Sequence, residues 1–305
     1  MFASLALFAA AQIAPIVIPL QKTPRHVEQP IAPIETNGPL WAQTCAGSDD
    51  WNKPAPPVRI HANTYLVGTC GISSILITGS QGHILIDGGT EQGADIIANN
   101  IRALGFRLQD IKYLLHSHEH FDHVGGVAKL QRLTGATLVA SAPAARVFAT
   151  GAAGGDDPQA GMHAPFAAAA VGRIISDGGE VRLGDLMLTA TATPGHTPGA
   201  LSWRWTSCDG GVCRTIVYAD SLTPISRDDY RFSDHAQYLA AFRASIAKIA
   251  ASPCEILLTP HPSASKMPAR LAAGRPLLNA NACRDYAAAV SELLDARLAK
   301  ERSKK

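Results

Sequence analysis

Residues 116–126 read His-Ser-His-Glu-His-Phe-Asp-His-Val-Gly-Gly, and this run constrains the fold more than any other part of the chain. It follows an apolar, strand-like segment at residues 111–115 and leads into a segment with helical spacing. Side chains alternate between the two faces of a strand, so we expect His118 and His120 to project the same way, with Asp122 continuing that face. The run therefore predicts a strand that ends in a cluster of polar side chains.

The side chains of this run favour metal binding. Imidazole suits zinc, and a carboxylate beside it suits zinc or iron rather than copper. A tetrahedral catalytic zinc keeps one position open for water, so His118, His120, Asp122 and His123 together exceed the needs of a single metal. We therefore expect two metals side by side. The alternative is a histidine-rich surface loop or a set of hydrogen-bonded core histidines, which the His-x-His-x-Asp-His spacing disfavours.

Two further histidines supply donors for a second metal. His196 follows the alternating segment at residues 186–193, within Thr-Pro-Gly-His-Thr-Pro-Gly, and His261 follows the apolar segment at residues 256–258, within Thr-Pro-His-Pro. Proline and glycine fix the backbone of such loops, and catalytic residues are often held on loops that a rigid sheet positions. Three strand ends that all lead to histidine predict one shared site.

The other histidines do not fit this pattern. A ligand frame that began at His116 would place His120 where the carboxylate belongs, so we interpret His116 as a neighbour of the site. The remaining histidines have no partner at ligand spacing, and we interpret them as structural or surface residues: His26, His61, His83, His163 and His235.

Together these motifs resemble the metallo-β-lactamase superfamily, from about Trp51 to the helix-like segment at residues 283–298. The resemblance implies an α/β fold, a four-layer αββα sandwich of two mixed β-sheets with helices on the outer faces. It also implies two Zn²⁺ ions per chain at one edge between the sheets. The implied ligands are three histidines on one zinc and an Asp-His-His set on the other: His118, His120 and His196, then Asp122, His123 and His261.

The coarse pattern of the chain agrees with such a sandwich. Strand-like segments lie at residues 64–67, 74–78, 83–87, 186–193, 200–205, 215–218 and 256–258. Segments with helical spacing lie at residues 95–104, 238–249 and 283–298.

The segment Asp220-Ser221-Leu222-Thr223 distinguishes between branches of the superfamily. In glyoxalase II and the lactonases an aspartate late in the chain bridges the two metals, and Asp220 is the candidate for that role. The segment more closely resembles the third subclass of class B β-lactamases, where no carboxylate bridges the metals. That resemblance implies that Ser221 and Thr223 bind the carboxylate of the substrate. The resemblance to the superfamily as a whole implies that Asp87 supports the ligands from behind, as a hydrogen-bonded carboxylate does at many metal sites.

The resemblance implies a dinuclear zinc hydrolase that opens the β-lactam ring of penicillins, cephalosporins and carbapenems, and so confers antibiotic resistance. A zinc-bound hydroxide would attack the ring without a covalent intermediate, and Asp122 would orient it as the catalytic carboxylate. The first alternative is another hydrolase of this fold that acts on a lactone or thioester. Further alternatives are a di-iron redox protein and a metal-binding protein without catalysis, since one fold hosts several functions.

Six cysteines permit about fifteen pairings, so spacing alone does not fix the disulfides. Cys208 and Cys213 flank Asp-Gly-Gly between two strand-like segments, which is hairpin geometry that brings them close. A Cys254–Cys283 bridge would pin the last helix beside the His261 loop, and Cys45–Cys70 is the remaining pair. The subclass resemblance supports the same three pairs. The alternative is six reduced thiols in a cytosolic protein.

The N-terminal residues predict export. Residues 1–20 are apolar and rich in small residues, typical of a signal peptide, and residues 21–40 form a flexible leader that is rich in proline. Residues 41–305 form a single domain. We therefore expect a periplasmic protein that has no membrane segment after processing.

The composition of the chain excludes few classes of partner, and it agrees with a small-molecule substrate. A hydrophobic fraction of 47% supports a sizeable core, and a net charge of +2 gives no reason to expect nucleic acid. We expect a monomer that acts on a small molecule. Residues 151–170, rich in Ala and Gly, also carry Asp156, Asp157, Gln159 and His163. We interpret them as a mobile loop over the substrate, the alternative being a solvated connection.

Overall fold

The computed structural model describes residues 37–273 and 277–303. The predicted signal peptide, most of the predicted leader and His26 lie outside the described residues. The first helix begins at Gly38, three residues before the predicted domain boundary, and its Trp41 is fully buried. Among the described residues, no helix combines the length and the apolar character that crossing a membrane requires.

The first sheet has seven strands in sequential order. Its first four strands pair antiparallel and the remaining pairs are parallel, so the sheet is mixed. The strands are β1 Val58–His61, β2 Thr64–Leu66, β3 Ile75–Gly79, β4 Gly82–Ile86, β5 Ile111–Leu115, β6 Thr137–Ala140 and β7 Val171–Ile174.

The second sheet has five strands, in the order β12-β11-β10-β9-β8. Only β12 runs parallel to its neighbour, so this sheet is mixed as well. The strands are β8 Glu180–Leu183, β9 Leu186–Ala192, β10 Leu201–Asp209, β11 Val212–Tyr218 and β12 Ile256–Leu258.

Helices cover the outer face of each sheet, because both faces of the central strands are apolar. In β4, Ile84 and Ile86 pack into the core between the sheets, whereas Leu85 packs into a second core under the helices. The helices are α1 Gly38–Thr44, α2 Gly93–Ala103, α3 Phe121–Val124, α4 Val127–Thr134, α5 Ala142–Thr150, α6 Ala236–Ala251, α7 Met267–Ala272 and α8 Ala282–Ser303.

A third core lies between the second sheet and helices α6 and α8. The layers are therefore helix, sheet, sheet, helix, and the predicted αββα sandwich is confirmed.

Hydrogen bonds join the two sheets at the edge that carries the histidine run. The Leu201 amide donates to the Ser117 carbonyl at 2.6 Å, and the Trp203 indole donates to the His116 carbonyl at 2.8 Å. On the opposite side of the run, the Ser73 amide donates to the Pro260 carbonyl at 2.7 Å, one residue before His261. The loops of one sheet are thus bonded to backbone of the other.

The structure contains the three disulfides expected from the sequence. They are Cys45–Cys70, Cys208–Cys213 and Cys254–Cys283. The last one joins the start of α8 to the segment that leads into β12, and β12 leads to His261.

Candidate metal centre

The histidine run is not on a strand, and that part of the sequence prediction is wrong. Strand β5 ends at Leu115, residues 116–120 form a loop, and Asp122 and His123 lie in the short helix α3. The helix forms here because the amides of His123 and Val124 both find the His120 carbonyl, each at 3.0 Å.

Gly126 lets this helix approach the loop that follows strand β4. Its amide donates to the Gly89 carbonyl at 2.9 Å, and a Cβ at this position would lie 2.3 Å from the Gly88 carbonyl oxygen. A side chain here would push α3 and its donors away from the loop that follows β4.

Three histidines from two loops form the first donor group. One ring nitrogen from each of His118, His120 and His196 lies within 4.8 Å of the others. All three side chains are buried, and the His118 Nε2 atom has no hydrogen-bond partner among the described residues. Buried polar atoms are normally bonded, so an unpaired nitrogen facing two other imidazoles fits a metal ion.

The outer nitrogen of each of these rings is hydrogen-bonded, which leaves the inner nitrogen available to a metal. The His118 Nδ1 atom lies 2.8 Å from Asp220 Oδ1, and the His196 Nδ1 atom lies 2.9 Å from the Thr223 carbonyl. The His120 Nε2 atom lies 3.1 Å from Asp157 Oδ2. Such partners fix the tautomer and orientation of a ligating histidine.

Asp122, His123 and His261 form the second donor group. The Asp122 Oδ2 atom lies 3.1 Å from His123 Nε2 and 3.4 Å from His261 Nε2, and the two imidazole nitrogens are 3.2 Å apart. The donor atoms of His118, Asp122 and His123 also lie within 4.8 Å of one another, so the two groups adjoin. The structure therefore brings all six predicted ligands together.

Electrostatics favour the metal-binding protonation states of His118, His196 and Asp122. Burial, together with the neighbouring histidines, lowers the pKa of His118 and of His196 well below the usual value. Burial would raise the pKa of Asp122, but His123 and His261 hold it below its usual range. Neutral imidazoles and an ionised carboxylate are the forms that bind metals. His123 differs: burial would lower its pKa, but the Asp122 carboxylate raises it to about 10, so this ring must release a proton to bind a metal.

Asp87 lies behind the donors, where the resemblance places it. It adopts a left-handed backbone with a φ of 63°, a strained conformation that often marks functional sites. Its carboxylate accepts hydrogen bonds from the Ser117 amide at 2.6 Å and the Tyr218 hydroxyl at 2.7 Å. Its Oδ2 atom is 3.6 Å from His123 Nδ1, just beyond hydrogen-bond distance. It thus fixes the backbone that leads to His118.

The segment 220–223 reaches the centre through another strained residue. Leu222 has a φ of 42° and is fully buried, and it separates Ser221 from Thr223. The Ser221 hydroxyl is buried without a hydrogen-bond partner among the described residues. The Thr223 hydroxyl lies 3.1 Å from His196 Nδ1, so this side chain backs a donor. Sequence reasoning assigned Thr223 only to the substrate.

Four further residues lie at the centre. The sequence placed Asp157, Gln159 and His163 in the predicted loop over the substrate and indicated a structural or surface role for His163, whereas Glu119 had no predicted role. Gln159 is buried with its amide nitrogen 3.4 Å from His196 Nε2, and the His163 ring centroid is 6.0 Å from that of His120. Glu119 accepts from the Thr197 hydroxyl and the Gly199 amide, each at 2.7 Å, and so ties the two histidine loops together. Asp157 contacts His120 directly.

His116 is not part of either donor group. It is fully buried, and its Nε2 atom accepts from the Ser141 amide at 3.2 Å. Burial lowers its pKa to about 4, so it is a neutral structural residue beside the donors.

The fold and this paired donor arrangement define a class of protein. The family model described as the metallo-beta-lactamase superfamily matches residues 67–261, and the chain belongs to that family.

Solved structures place the chain more narrowly within the family. It is 56% identical to the MIM-2 metallo-beta-lactamase, with a TM-score of 0.83 over 87% of this chain and 98% of that one. It is 48% identical to MIM-1 from Novosphingobium pentaromativorans, with a TM-score of 0.84 over the same shares. It is 43% identical to MEM-A1, a subclass B3 metallo-beta-lactamase from a soil metagenome library, with a TM-score of 0.81 over 84% and 100%. The resemblance to the third subclass is confirmed.

Curated relatives are more distant. The chain is 35% identical to a hydroxyacylglutathione hydrolase of Anaeromyxobacter dehalogenans, over 31% of this chain and 29% of that protein. The chain spans less than half the length of the curated relatives it matches.

Proposed function

We propose that the protein is a dinuclear zinc hydrolase that opens the β-lactam ring of penicillins, cephalosporins and carbapenems. The observation that carries the proposal is the pair of adjoining donor groups, three histidines and an Asp-His-His set, in a chain 56% identical to a metallo-beta-lactamase. Borderline-soft nitrogen donors with one carboxylate suit zinc.

The residues of the centre divide into two metal sites and a surrounding shell. His118, His120 and His196 would hold one zinc, and Asp122, His123 and His261 the other. When bound, the metals supply Lewis-acid polarisation of the lactam carbonyl and a water with a pKa lowered toward neutrality.

The chain itself positions the reactants. Asp122, held ionised by His123 and His261, accepts a hydrogen bond from the attacking water and orients it. The unpartnered hydroxyl of Ser221 is available to the carboxylate of the substrate, and the Gln159 amide lies on the His196 side of the centre. These groups orient the substrate without forming a bond to it.

The position of Asp220 supports this reading over a lactone or thioester hydrolase. A bridging aspartate would present its carboxylate to both donor groups. Asp220 instead bonds the outer nitrogen of His118 at 2.8 Å, on the far side of the ring from the unpaired Nε2 atom. The single carboxylate among the six donors likewise argues against a di-iron redox centre, which uses more of them.

Hydrolysis assays test the proposal. Purified protein is given a penicillin, a cephalosporin, a carbapenem, a lactone and a thioester, before and after a chelator and then with zinc added back. We expect chelator-sensitive ring opening of the β-lactams that zinc restores. His196→Ala should abolish turnover, whereas His235→Ala, at an exposed histidine outside both donor groups, should leave it unchanged. Hydrolysis of the lactone or thioester alone would contradict the proposal.

We further propose that the protein works as a monomer in the periplasm after removal of a signal peptide. The three disulfides support an oxidising compartment. Fractionation of expressing cells, with mass analysis of the exported chain, tests both the compartment and the cleavage site.

A further inference from the structure

The carboxylate of Asp157 joins the segment 151–170 to the three-histidine group. Asp157 is only 1% exposed, and its two oxygens lie 3.1 and 3.3 Å from the His120 Nε2 atom. The same carboxylate accepts a hydrogen bond from the backbone amide of Gln159 at 2.7 Å. A buried carboxylate is stable only when it is paired or hydrogen-bonded, and here both partners belong to the centre.

This contact selects the tautomer of His120. A carboxylate accepts but does not donate, so the Nε2 atom must carry the proton and the Nδ1 atom is left as the metal-binding nitrogen. Removing the carboxylate would free the ring to rotate or to exchange tautomers. Metal binding at the three-histidine group would then have to fix the ring by itself.

Asp157 also sets the path of the segment over the centre. Two residues on, the Gln159 side chain reaches His196. The Arg227 guanidinium donates to the Asp157 carbonyl at 3.2 Å, and the Arg227 amide donates to the Pro158 carbonyl at 3.0 Å. Arg227 lies four residues after Thr223, so the backbone around Asp157 is tied to the segment that carries Ser221 and Thr223.

We propose that Asp157 is a positioning residue that couples the segment 151–170 to metal binding at the three-histidine group. Metal binding at His120 fixes the ring, the ring fixes Asp157, and Asp157 fixes the segment above the centre. The coupling acts in both directions, because two linked equilibria change each other by the same factor. The inference rests on the proposed zinc site but not on the proposed substrate.

Zinc binding, measured without substrate, tests the coupling. We compare Asp157→Ala and Asp157→Asn with Asp156→Ala, a control in the same segment whose exposed side chain pairs with Arg146 at the surface. Loss of a carboxylate behind a metal ligand typically lowers metal affinity about 10- to 100-fold. We expect that loss for one of the two zincs in Asp157→Ala, a smaller loss in Asp157→Asn, and none in Asp156→Ala.

Two readouts separate positioning from a general structural role. The melting temperature of the metal-free protein should stay near that of the wild type, while the rise in melting temperature on adding zinc should shrink. Hydrogen exchange of residues 151–170 should slow on zinc addition in the wild type and in Asp156→Ala, but not in Asp157→Ala. Should Asp157→Ala fail to fold, Asp157→Asn carries the same comparison, because it keeps the size of the side chain and one acceptor.

Arg227→Ala removes the guanidinium tether to the segment while leaving the Asp157 carboxylate in place, and we expect it to lower zinc affinity much less than Asp157→Ala does. Zinc affinity in both Asp157 variants equal to that of Asp156→Ala would overturn the proposal. So would an equal loss in Arg227→Ala, since anchoring of the segment alone would then explain it. None of these outcomes depends on whether β-lactams are hydrolysed.

Discussion

The two donor groups differ in how the protein supports them. In the three-histidine group every ring is buried, and each outer nitrogen is bonded, two to carboxylates and one to a backbone carbonyl. In the Asp-His-His group, the His261 side chain is 31% exposed and its outer nitrogen bonds only the Gly71 carbonyl at 3.1 Å. The protein thus encloses the three-histidine group completely, whereas the Asp-His-His group is open to solvent at His261.

The largest effect is expected at Asp122, the one carboxylate among the donors. Asp122→Ala removes the carboxylate that we propose as a ligand of the Asp-His-His group and as the acceptor that orients the attacking water. Loss of a residue that only hydrogen-bonds a metal ligand typically lowers metal affinity or activity about 10- to 100-fold. Loss of the ligand itself should cost more, so we expect kcat to fall by more than ~100-fold. Steady-state kinetics measure it, and the metal-free melting temperature is the control. Near-normal turnover would remove Asp122 from the mechanism.

The next prediction concerns metal retention by the two groups. His261→Ala takes a donor from the exposed group, so the protein dialysed against dilute chelator should keep about one zinc per chain. The matched change His118→Ala removes a donor at the edge where the groups adjoin and should cost more metal. Elemental analysis measures the zinc content that each variant retains after dialysis. Equal retention would mean that exposure does not distinguish the groups.

Support by a carboxylate can be tested at Asp220. Asp220→Asn keeps an oxygen to accept from His118 Nδ1 but replaces the carboxyl group with an amide, and we expect zinc affinity to fall about 10-fold. The alternative role of a metal bridge predicts loss of one zinc and of all turnover instead. Zinc titration together with kinetics separates the two roles.

A smaller effect is expected at Thr223. Thr223→Val removes the hydroxyl near His196 but leaves the carbonyl that accepts from Nδ1 at 2.9 Å. Loss of one neutral hydrogen bond costs about 1 kcal/mol, which corresponds to a roughly 5-fold change in a binding constant. The proposed substrate contact predicts that this loss falls on KM, whereas support of His196 alone predicts that it falls on zinc affinity.

The smallest effect on the centre is expected at Glu301, a supporting carboxylate away from the donors. It accepts from the Phe232 and Ser233 amides at 3.0 and 2.9 Å and from Arg297 at 2.8 Å. Burial opposes ionisation, but these donors lower its pKa below the usual value. Its contribution to stability is therefore present above the unfolded-state pKa and is lost as pH falls through the lower folded-state pKa.

Glu301→Gln should thus destabilise the metal-free protein near pH 7 by about 1 to 3 kcal/mol, a difference that shrinks below about pH 4. Zinc affinity should not change, because none of the six proposed metal ligands contacts Glu301. Denaturant unfolding at several pH values measures the first expectation. A change in zinc affinity would mean that support of the metals extends to the last helix.

Sequence reasoning succeeded where the signal is local. The His-x-His-x-Asp-His spacing, and the histidines after β9 and β12, identified side chains that the structure brings together, because each follows a strand of a sandwich. It failed at α3, where alternation suggested a strand but the amides of His123 and Val124 close a helical turn.

It also missed the residues that support the donors from a distance. Asp157 meets His120 from 37 positions away, and Glu119 meets Thr197 from 78 positions away. Nothing in the local sequence pattern of either residue indicates which loops meet. Asp87 was found only because the family resemblance supplied its role.

The bonds that cross from one sheet to the other have a mechanical consequence. Leu201 and Trp203 bond the backbone just before His118, and Ser73 bonds the backbone just before His261. The donors therefore lie next to the hydrogen bonds that join the two sheets. Sliding one sheet over the other would break these hydrogen bonds and separate the donors. Metals bound there would cross-link the sheets, because each donor group combines side chains from a loop of the first sheet with a histidine from a loop of the second.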